Sequence, residues 1–403
     1  MPCGATGGVS VACLDSDVPM HLTFKYRLLP TRAQHVALLR VLEDQRQLYN
    51  AALQERIECY RKTGKGRTLF DQCKALTEWR KSDPEARATP AHLQRWTLKR
   101  LDEAYRAFFR RLKARNGKAG FPRYRGKGYW DSFGFAECDS IRFDGKRLRF
   151  KSMPGGLRVH LHRDLPKGKI CSCVFRRDVN GWFVCFQVKI DDVERRSVSS
   201  AVGIDVGIKT LAATSDGLLI PNPRVARRAE GELRRRQRAL ARCKKGSGRR
   251  RKVRAQVTRL HAKVKNTRST SLHQISAMLV KRYDAIGVEA LNTKGLARGI
   301  LARDVHDASW GRLRELLRYK AERAGAHFIE VDPKFTSQTC PECGQVARKM
   351  LANRTHRCDC GCVLDRDVAA ARVILARAVV GLWQPNVAGY GERAAGKLNE
   401  ATN

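Results

Sequence analysis

The sequence predicts a multidomain α/β protein, and three observations support this prediction. The chain has 403 residues, which is more than one domain usually holds, so we expect about two to four domains. From residue 36 to about residue 115, apolar residues recur at the spacing of helices. After residue 120 they alternate with a period of two, and further on apolar runs typical of buried strands alternate with helical patterns.

The N-terminal part is predicted to be a small antiparallel β-barrel that is interrupted by the helical block. "MHLTFKYRLLPT" from Met20 has a strand-like alternation. "SIRFDGKRLRF" and "KICSCVFRRDVNGWFVCFQVKI" are typical of hairpins, with Asp144-Gly145 and Asn180-Gly181 supplying the positive φ angles of two-residue turns. These hairpins and the strand near residues 21–28 would complete the barrel.

The charge of the chain favours nucleic acid as its partner. The chain has 80 Lys or Arg against 39 Asp or Glu, a formal net charge of +41. A charge of this size strongly favours a polyanion, because neutralising phosphates releases condensed counterions. The stretch from Arg224 to Arg268 has 19 Lys or Arg and only two Glu, which favours phosphate contact over a merely solvated charged face.

Membrane insertion and secretion are not expected. No window approaches the roughly 18 consecutive apolar residues of a membrane span, and no signal peptide pattern is found at the N-terminus. The sequence therefore predicts a cytoplasmic protein, in the bacterial cytosol or nucleoid. In that reducing setting the fourteen cysteines need another explanation than disulfides.

Three carboxylates occupy positions that are typical of a metal site. In "VGIDVGIKT", Asp205 ends an apolar strand between two glycines, which leave room for a ligand or a backbone to approach. The apolar run at 285–288 leads to Glu289 at the end of a second buried strand. Asp367 lies in the first turn of the alanine-rich helix "DRDVAAARVILARAV", where an anion is favoured.

These acids predict a metal-dependent nuclease. A carboxylate at the end of a buried strand is costly unless it faces a cleft, is paired or binds a metal. Two divalent cations about 4 Å apart can activate a water and stabilise the leaving oxygen in phosphodiester cleavage. Mg²⁺ fits best, because oxygen ligands and retained waters suit a hard cation. Asp205, Glu289 and Asp367 are the predicted ligands.

A cysteine cluster predicts a structural zinc site. "CPECG" supplies Cys340 and Cys343, and Cys358, Cys360 and Cys362 alternate after a short loop. Two thiolate pairs at this spacing are typical of zinc with four sulfur ligands, which leaves no open position for catalysis.

The fourth zinc ligand stays open between candidates. Cys360 is followed by Gly361, as in a zinc knuckle, and we take it as the fourth ligand beside Cys340, Cys343 and Cys358. Cys362 could close the site instead, and His356 is a further candidate.

Taken together, these motifs resemble the TnpB proteins of bacterial insertion sequences, relatives of the compact type V CRISPR effector nucleases. The resemblance rests on "GIDVGIKT", "VEALNTKGL", "TSQTCPECG" and "CGCVLDRDVAAARVIL", with support from "YRLLPTRAQ" and "LYNAAL". It implies a RuvC-type nuclease domain of RNase H fold with an inserted zinc module. It also implies that Asp205, Glu289 and Asp367 are the catalytic acids, with Asp367 favoured as the metal ligand over Asp365, which begins the "DRD" motif.

The predicted domains follow from the patterns and the resemblance combined. In chain order they are a disordered extension (1–19), a β-barrel or wedge domain (20–35 and 120–197), a helical recognition lobe (36–119), a RuvC-like nuclease with the first two acids and basic helices at 224–268 (198–335), a zinc module (336–362), the third acid motif (363–380) and a disordered tail (381–403).

The resemblance implies an RNA-guided DNA endonuclease. A guide RNA from the element's end, or a CRISPR-like RNA, would bind the basic surface and pair with one strand of double-stranded target DNA. The protein would read a short motif beside the target. No membrane partner is expected, and the oligomeric state is left open.

Two departures from the family keep alternatives open. Many relatives have "DRDVNAA" and "VEDLN" where this chain has Ala369 and Ala290, and the loss of these polar side chains could weaken support for the acids. The alternatives are a guided DNA-binding regulator with impaired cleavage and an unguided structure-specific nuclease or transposase.

Overall fold

A computed structural model describes residues 20–114, 119–191, 193–299, 301–348 and 353–383. The chain divides into two compact units, one within Asp17–Asp192 and one within Val193–Asn403. The predicted disordered extension lies outside the described residues, as does the tail from residue 384. Among the helices that are described, none is both long enough and apolar enough to cross a membrane.

The N-terminal unit combines an antiparallel sheet with a block of helices. Its strands are β1 (Met20–Leu29), β2 (Ser132–Phe135), β3 (Arg142–Phe143), β4 (Arg147–Arg149), β5 (Leu157–His160), β6 (Lys169–Asp178) and β7 (Gly181–Ile190). Its helices are α1 (Arg32–Thr63), α2 (Leu69–Ser82), α3 (Pro84–Ala88) and α4 (Ala91–Lys113), which lie between β1 and β2 in sequence.

The N-terminal sheet is curled, but the predicted closed barrel is not confirmed. The hydrogen-bonded order is β2-β6-β7-β1-β5-β4-β3, and the two end strands do not pair with each other in the described part of the chain. Phe150, just after β4, nevertheless packs 5.4 Å from Phe135 of β2 and 5.2 Å from Phe175 of β6, measured between ring centroids. Side chains from both halves of the sheet therefore meet over one apolar core.

Both predicted hairpins form, but each turn is offset by one residue from the predicted pair: it lies at 145–146 in the first hairpin, one residue later, and at 179–180 in the second, one residue earlier. Asp178 pairs with Gly181, and the Asp144 amide donates to the Arg147 carbonyl at 3.2 Å. Only the glycines have positive φ angles, +85° at Gly145 and +119° at Gly181. The aspartates that begin the turns accept amide hydrogen bonds, as Asp144 does from Arg147 at 2.6 Å, which explains their place in the turn.

Helix α1 begins earlier than the apolar pattern indicated, because a capping box fixes its start. Thr31 accepts a hydrogen bond from the Gln34 amide at 3.3 Å, and the Gln34 side chain accepts one from the Thr31 amide at 3.0 Å. Such reciprocal capping satisfies two amides that a helix N-terminus leaves unpaired. The helix ends at Gly64, whose φ of +65° is typical of a C-terminal cap.

The C-terminal unit contains a mixed five-stranded sheet and a small two-stranded sheet. The strands are β8 (Ala201–Asp205), β9 (Thr210–Thr214), β10 (Leu219–Pro221), β11 (Ala285–Glu289), β12 (His327–Val331), β13 (Thr355–Arg357) and β14 (Val363–Asp365). The helices are α5 (Val225–Arg242), α6 (Gly248–Arg282), α7 (Thr293–Leu296), α8 (Ala302–Ala308), α9 (Trp310–Arg323) and α10 (Arg366–Trp383).

Strand order places the ends of β8 and β11 side by side. The larger sheet runs β10-β9-β8-β11-β12, with β8, β11 and β12 parallel and β9 and β10 antiparallel. Helix α10 packs on this sheet through Ile374 and Ala378, both buried. It continues to Trp383, so residues 381–383 are helical and do not begin the predicted disordered tail.

Candidate functional site

Two of the predicted acids end neighbouring parallel strands. Ile204 of β8 lies opposite Val288 of β11, so the next residues, Asp205 and Glu289, reach the same edge of the sheet. Both strands are apolar up to that point and almost fully buried. Parallel strands end at the same edge, which explains why acids 84 positions apart in sequence lie together.

The two aspartates of the "DRD" motif have different structural roles. Asp365 accepts hydrogen bonds from the amides of Asp367 at 2.9 Å and Val368 at 3.3 Å, so it caps the N-terminus of α10. Asp367 makes no such capping contact among the described residues. The Asp367 carboxylate is therefore the one of the two that is free to bind a metal together with Asp205 and Glu289.

The three acids share an electrostatic environment. The pKa of Asp205 is raised well above its usual value, first by burial and then by the negative charges of Glu289 and Asp367. Burial also raises the pKa of Glu289 and of Asp367. Carboxylates that repel one another in a buried place are stabilised in their charged form by cations. The donor set, oxygen only, fits Mg²⁺.

The carboxylates are not drawn tightly together. In the described part of the chain, two groups of metal-binding side chains have all their ligand atoms within 4.8 Å of one another, and neither includes these acids. Ligands on opposite sides of two cations about 4 Å apart can be farther apart than this. The spacing of the three carboxylates is therefore compatible with a pair of cations.

Two residues that the sequence analysis missed support Glu289. Thr336 is buried and its hydroxyl donates a hydrogen bond to Glu289. Both this contact and the charge of Arg377 oppose the rise in the pKa of Glu289. Arg377 is held in place by the carbonyls of Asp332 at 2.7 Å and Lys334 at 2.8 Å. "TSQTC" was the available signal for Thr336; nothing in the sequence pointed to Arg377.

Four cysteines form a cluster that fits zinc. The Sγ atoms of Cys340, Cys343, Cys358 and Cys360 all lie within 4.8 Å of one another. Sγ of Cys340 is 3.7 Å from that of Cys360, and Sγ of Cys343 is 3.5 Å from that of Cys358. Tetrahedral coordination with Zn–S bonds of about 2.3 Å separates the sulfurs by about 3.8 Å. The spacing therefore matches a four-thiolate zinc site.

Cys362 and His356 lie in a second, overlapping group. Together with Cys340 they form a buried set of three possible ligands. Although burial opposes it, the amides of Cys343 and Glu342 and the His356 side chain hold the pKa of the Cys340 thiol at about 5. Cys340 thus belongs to both groups, and the His356 side chain is hydrogen-bonded to its thiol.

Helices α5 and α6 present the predicted basic surface. Helix α5 has no buried residue. Two of its described ion pairs lie within the helix, Arg234 with Glu230 at 2.9 Å and Arg236 with Glu232 at 3.3 Å. Two others join it to α8, Arg227 with Asp304 at 3.9 Å and Glu230 with Arg303 at 3.1 Å. On α6, basic side chains are exposed and have no described carboxylate within 4.0 Å. They are Arg249, Arg251, Lys252, Arg254, Arg259, Lys263 and Lys265.

Family models match three parts of the chain. A model described as a probable transposase matches residues 185–299, and one for the TNB domain of Cas12f1-like proteins matches residues 310–374. A helix-turn-helix domain model matches residues 20–65. In this chain those residues form strand β1 and the single long helix α1. The third match is therefore one of sequence, because two helices joined by a turn are not formed there.

Whole-chain relatives agree with the motifs. A "Putative RNA-guided DNA endonuclease" of Streptomyces pristinaespiralis is 34% identical over 361 residues, which cover 88% of each chain. The protein InsQ of Escherichia coli K12, with the same description, is 26% identical and covers 88% of this chain and 91% of its own.

A solved structure shares the fold. The structure of a Cas12f1–sgRNA–target DNA complex is similar with a TM-score of 0.56 at 13% identity, covering 85% of this chain and 82% of that one. The motifs, the long alignments and the common fold lead to one conclusion: the chain belongs to the TnpB family.

Proposed function

We propose that the chain is an RNA-guided DNA endonuclease of the TnpB type, cleaving target DNA next to a short adjacent motif. The observation that carries this proposal is the meeting of three acids, Asp205, Glu289 and Asp367, beside a sheet on a chain with a net charge of +41. The names of its relatives, which describe RNA-guided DNA endonucleases, support the same function.

The five-stranded sheet and helix α10 are proposed to be the RuvC-like nuclease domain. The parallel ends of β8 and β11 supply two acids, and the start of α10 supplies the third. Mg²⁺ bound there would supply activation of a water nucleophile and stabilisation of the leaving oxygen. The pairing of β8 with β11 holds Asp205 and Glu289 side by side, and the hydrogen bond from Thr336 orients Glu289.

The zinc module is proposed to be structural. Four thiolates, from Cys340, Cys343, Cys358 and Cys360, fill the coordination sphere. Strands β13 and β14 enclose the second cysteine pair, and Asp365 at the end of β14 caps α10. A fixed zinc module therefore fixes the position at which α10 begins, one residue before Asp367.

The basic helices α5 and α6 are proposed to contact nucleic-acid phosphates. Many of their arginines and lysines are exposed and have no carboxylate within 4.0 Å among the described residues, which makes the two helices electropositive. When sequence selection is left to base pairing, the protein needs contacts to the backbone rather than to bases. Guide RNA and double-stranded target DNA are the proposed partners, and a cytoplasmic location fits them.

The test is to express the chain with its flanking DNA, purify it at high salt and sequence the RNA that stays bound. We expect one abundant RNA with a constant scaffold and a variable end. The purified complex should then cut a plasmid that matches this end, in Mg²⁺ and not in a chelator. Heterogeneous RNA that is lost as salt rises, with cleavage that ignores the plasmid sequence, would favour the unguided nuclease instead.

A further inference from the structure

An aromatic cluster at the end of helix α4 has no role in the nuclease proposal. Tyr105, Phe108 and Phe109 of α4 and Phe121 of the following loop form this cluster, which we call the aromatic surface. Ring centroids are 5.1 Å apart for Phe108 and Phe109, 5.3 Å for Phe108 and Phe121, and 5.5 Å for Tyr105 and Phe121. The rings therefore form one continuous patch.

Part of this patch faces solvent. Phe109 is 57% exposed and Phe121 is 46% exposed, whereas Phe133 and Phe175 in the sheet core are fully buried. Leu112, one turn beyond Phe109, is also 56% exposed. Large apolar side chains that cluster at the surface usually mark a binding site, because burying them would otherwise be favourable.

Basic residues lie next to the exposed rings in the sequence. Arg110, Arg111 and Lys113 follow Phe109 on α4, and Arg123 and Arg125 follow Phe121. All five are exposed, and none has a carboxylate partner within 4.0 Å among the described residues. This mixture of unpaired positive charge and exposed rings is complementary to nucleic acid and unsuited to an apolar or basic protein partner.

The loop that carries Phe121 is fixed to helix α1. Asn50 accepts a hydrogen bond from the Arg125 amide at 2.8 Å and donates one to the Arg125 carbonyl at 3.0 Å. Arg46 donates to the same carbonyl at 2.8 Å, and the Tyr124 hydroxyl donates to Gln54. A surface held by its backbone loses little conformational freedom when a ligand binds.

We propose that the aromatic surface binds unpaired nucleotides of RNA, with bases stacked on Phe109 and Phe121 and phosphates contacted by the flanking arginines. This inference rests on the proposed function and names where unpaired guide RNA would bind. Bases inside a duplex have no free faces, whereas RNA loops and ends offer unstacked bases to exposed aromatic rings. RNA is favoured over target DNA, because the guide RNA has unpaired nucleotides before any target is bound, whereas the DNA arrives as a duplex and exposes an unpaired strand only after it has paired with the guide.

Photo-crosslinking tests the site directly. The full-length chain is expressed without its flanking DNA and treated with ribonuclease before repurification, so that it carries no guide RNA. It is then irradiated with a short RNA that contains one 5-iodouridine, and separately with the equivalent 5-iodo-2′-deoxyuridine DNA. Cross-linked peptides are mapped by mass spectrometry. We expect the RNA to cross-link at Phe109 or Phe121. RNA cross-links only elsewhere, or cross-links at this surface from DNA and not from RNA, would overturn the proposal.

A binding series separates stacking from packing. The double variant Phe109→Leu/Phe121→Leu keeps apolar volume but removes the rings, and it should bind the RNA about five-fold more weakly or worse. The double variant to Tyr should bind as the wild type does, and Leu112→Ala serves as the matched control. An abasic oligonucleotide should bind the wild type and the Leu variant equally.

The result is independent of cleavage. Unchanged RNA binding by the Leu variant would overturn the stacking proposal even if the complex cuts DNA. If thermal unfolding shows that the Leu variant is not folded, its binding result is set aside. The cross-linked positions and RNA binding by the Tyr variant then test the stacking proposal. Loss of cleavage with an intact aromatic cross-link would instead count against the proposed nuclease function.

Discussion

Gly203 and Gly287 lie directly opposite each other on the parallel strands β8 and β11, and helix α10 packs against both. A Cβ atom on Gly203 would come within 2.5 Å of the Leu375 amide nitrogen, and one on Gly287 within 2.6 Å of the Ala378 Cβ. The helix therefore approaches the sheet more closely than any other side chain would permit. This approach brings Asp367 to the strand ends that carry the other two acids.

Substituting these glycines should displace the helix. We expect Gly203→Ala and Gly287→Ala each to lower the free energy of unfolding by about 1–3 kcal/mol, because the added methyl group overlaps the helix. Cleavage should fall as well, since Asp367 moves with α10. Urea unfolding and a plasmid-cleavage assay measure the two effects.

Gly231→Ala is the matched control for this prediction. Gly231 lies in helix α5, and a Cβ there would meet nothing within 4 Å. Alanine should stabilise the helix by up to about 1 kcal/mol. If all three variants unfold like the wild type, the close packing of α10 on the glycines is not what holds the helix in place.

The zinc ligands can be distinguished by matched serine variants. Cys360→Ser removes one of the four clustered sulfurs and should reduce the zinc bound to the purified chain. Cys362→Ser should retain zinc, because Cys362 lies in the other group with His356. Elemental analysis of zinc per chain after gel filtration measures this. The opposite pattern would assign the fourth position to Cys362.

Thr336 is predicted to position Glu289 for metal binding. Thr336→Val removes the hydroxyl that donates to Glu289 but keeps the shape of the side chain. We expect the Mg²⁺ concentration for half-maximal cleavage to rise about 10- to 100-fold. Thr336→Ser keeps the donor and should behave as the wild type. Equal Mg²⁺ requirements for Val and Ser would show that the hydrogen bond does not matter.

Asp284 should make stability depend on pH. Its carboxylate accepts hydrogen bonds from Ser199 and Ser200, including the Ser200 amide at 3.1 Å. These contacts, the Ser199 and Ser200 hydroxyls first, lower the pKa of Asp284 to about 2, below an unfolded value of about 3.9. The stabilisation is therefore complete above about pH 4 and is lost as pH falls towards 2.

Asp284→Asn tests this linkage. At pH 7 we expect the variant to be less stable by about 1–3 kcal/mol, because hydrogen bonds to a charged acceptor are lost. The difference from the wild type should shrink in urea unfolding series taken below pH 4. A difference that stays constant from pH 7 to pH 3 would contradict the assignment to this carboxylate.

Much of the fold was predictable because its signals are local. Apolar spacing predicted the helical block, and the Asp-Gly and Asn-Gly pairs predicted both hairpins. The closed barrel was not predictable from these signals, because closure depends on pairing between strands distant in sequence. The start of α1 at Arg32 followed from the side chains of Thr31 and Gln34, which an apolar pattern does not include.

In the candidate site, too, residues with a local sequence signal were predictable and contacts between distant parts of the chain were not. Asp205 and Glu289 were recognisable because each ends an apolar run, and the cysteines because of their spacing. Gly203 was correctly associated with close approach, but the sequence could not show that the approaching group is helix α10. Arg377 supports Glu289 from a helix that begins far along the chain, and no local pattern indicates such a contact.

The most direct measurement compares Asp367→Asn with Asp365→Asn in guided plasmid cleavage. The two acids are two residues apart, and asparagine at 365 keeps the capping oxygen that α10 needs. We predict that Asp367→Asn loses cleavage at least about a hundredfold while binding its RNA and target normally, and that Asp365→Asn still cuts. Full cleavage by Asp367→Asn, or loss of cleavage by Asp365→Asn alone, would contradict the assignment of the nuclease centre.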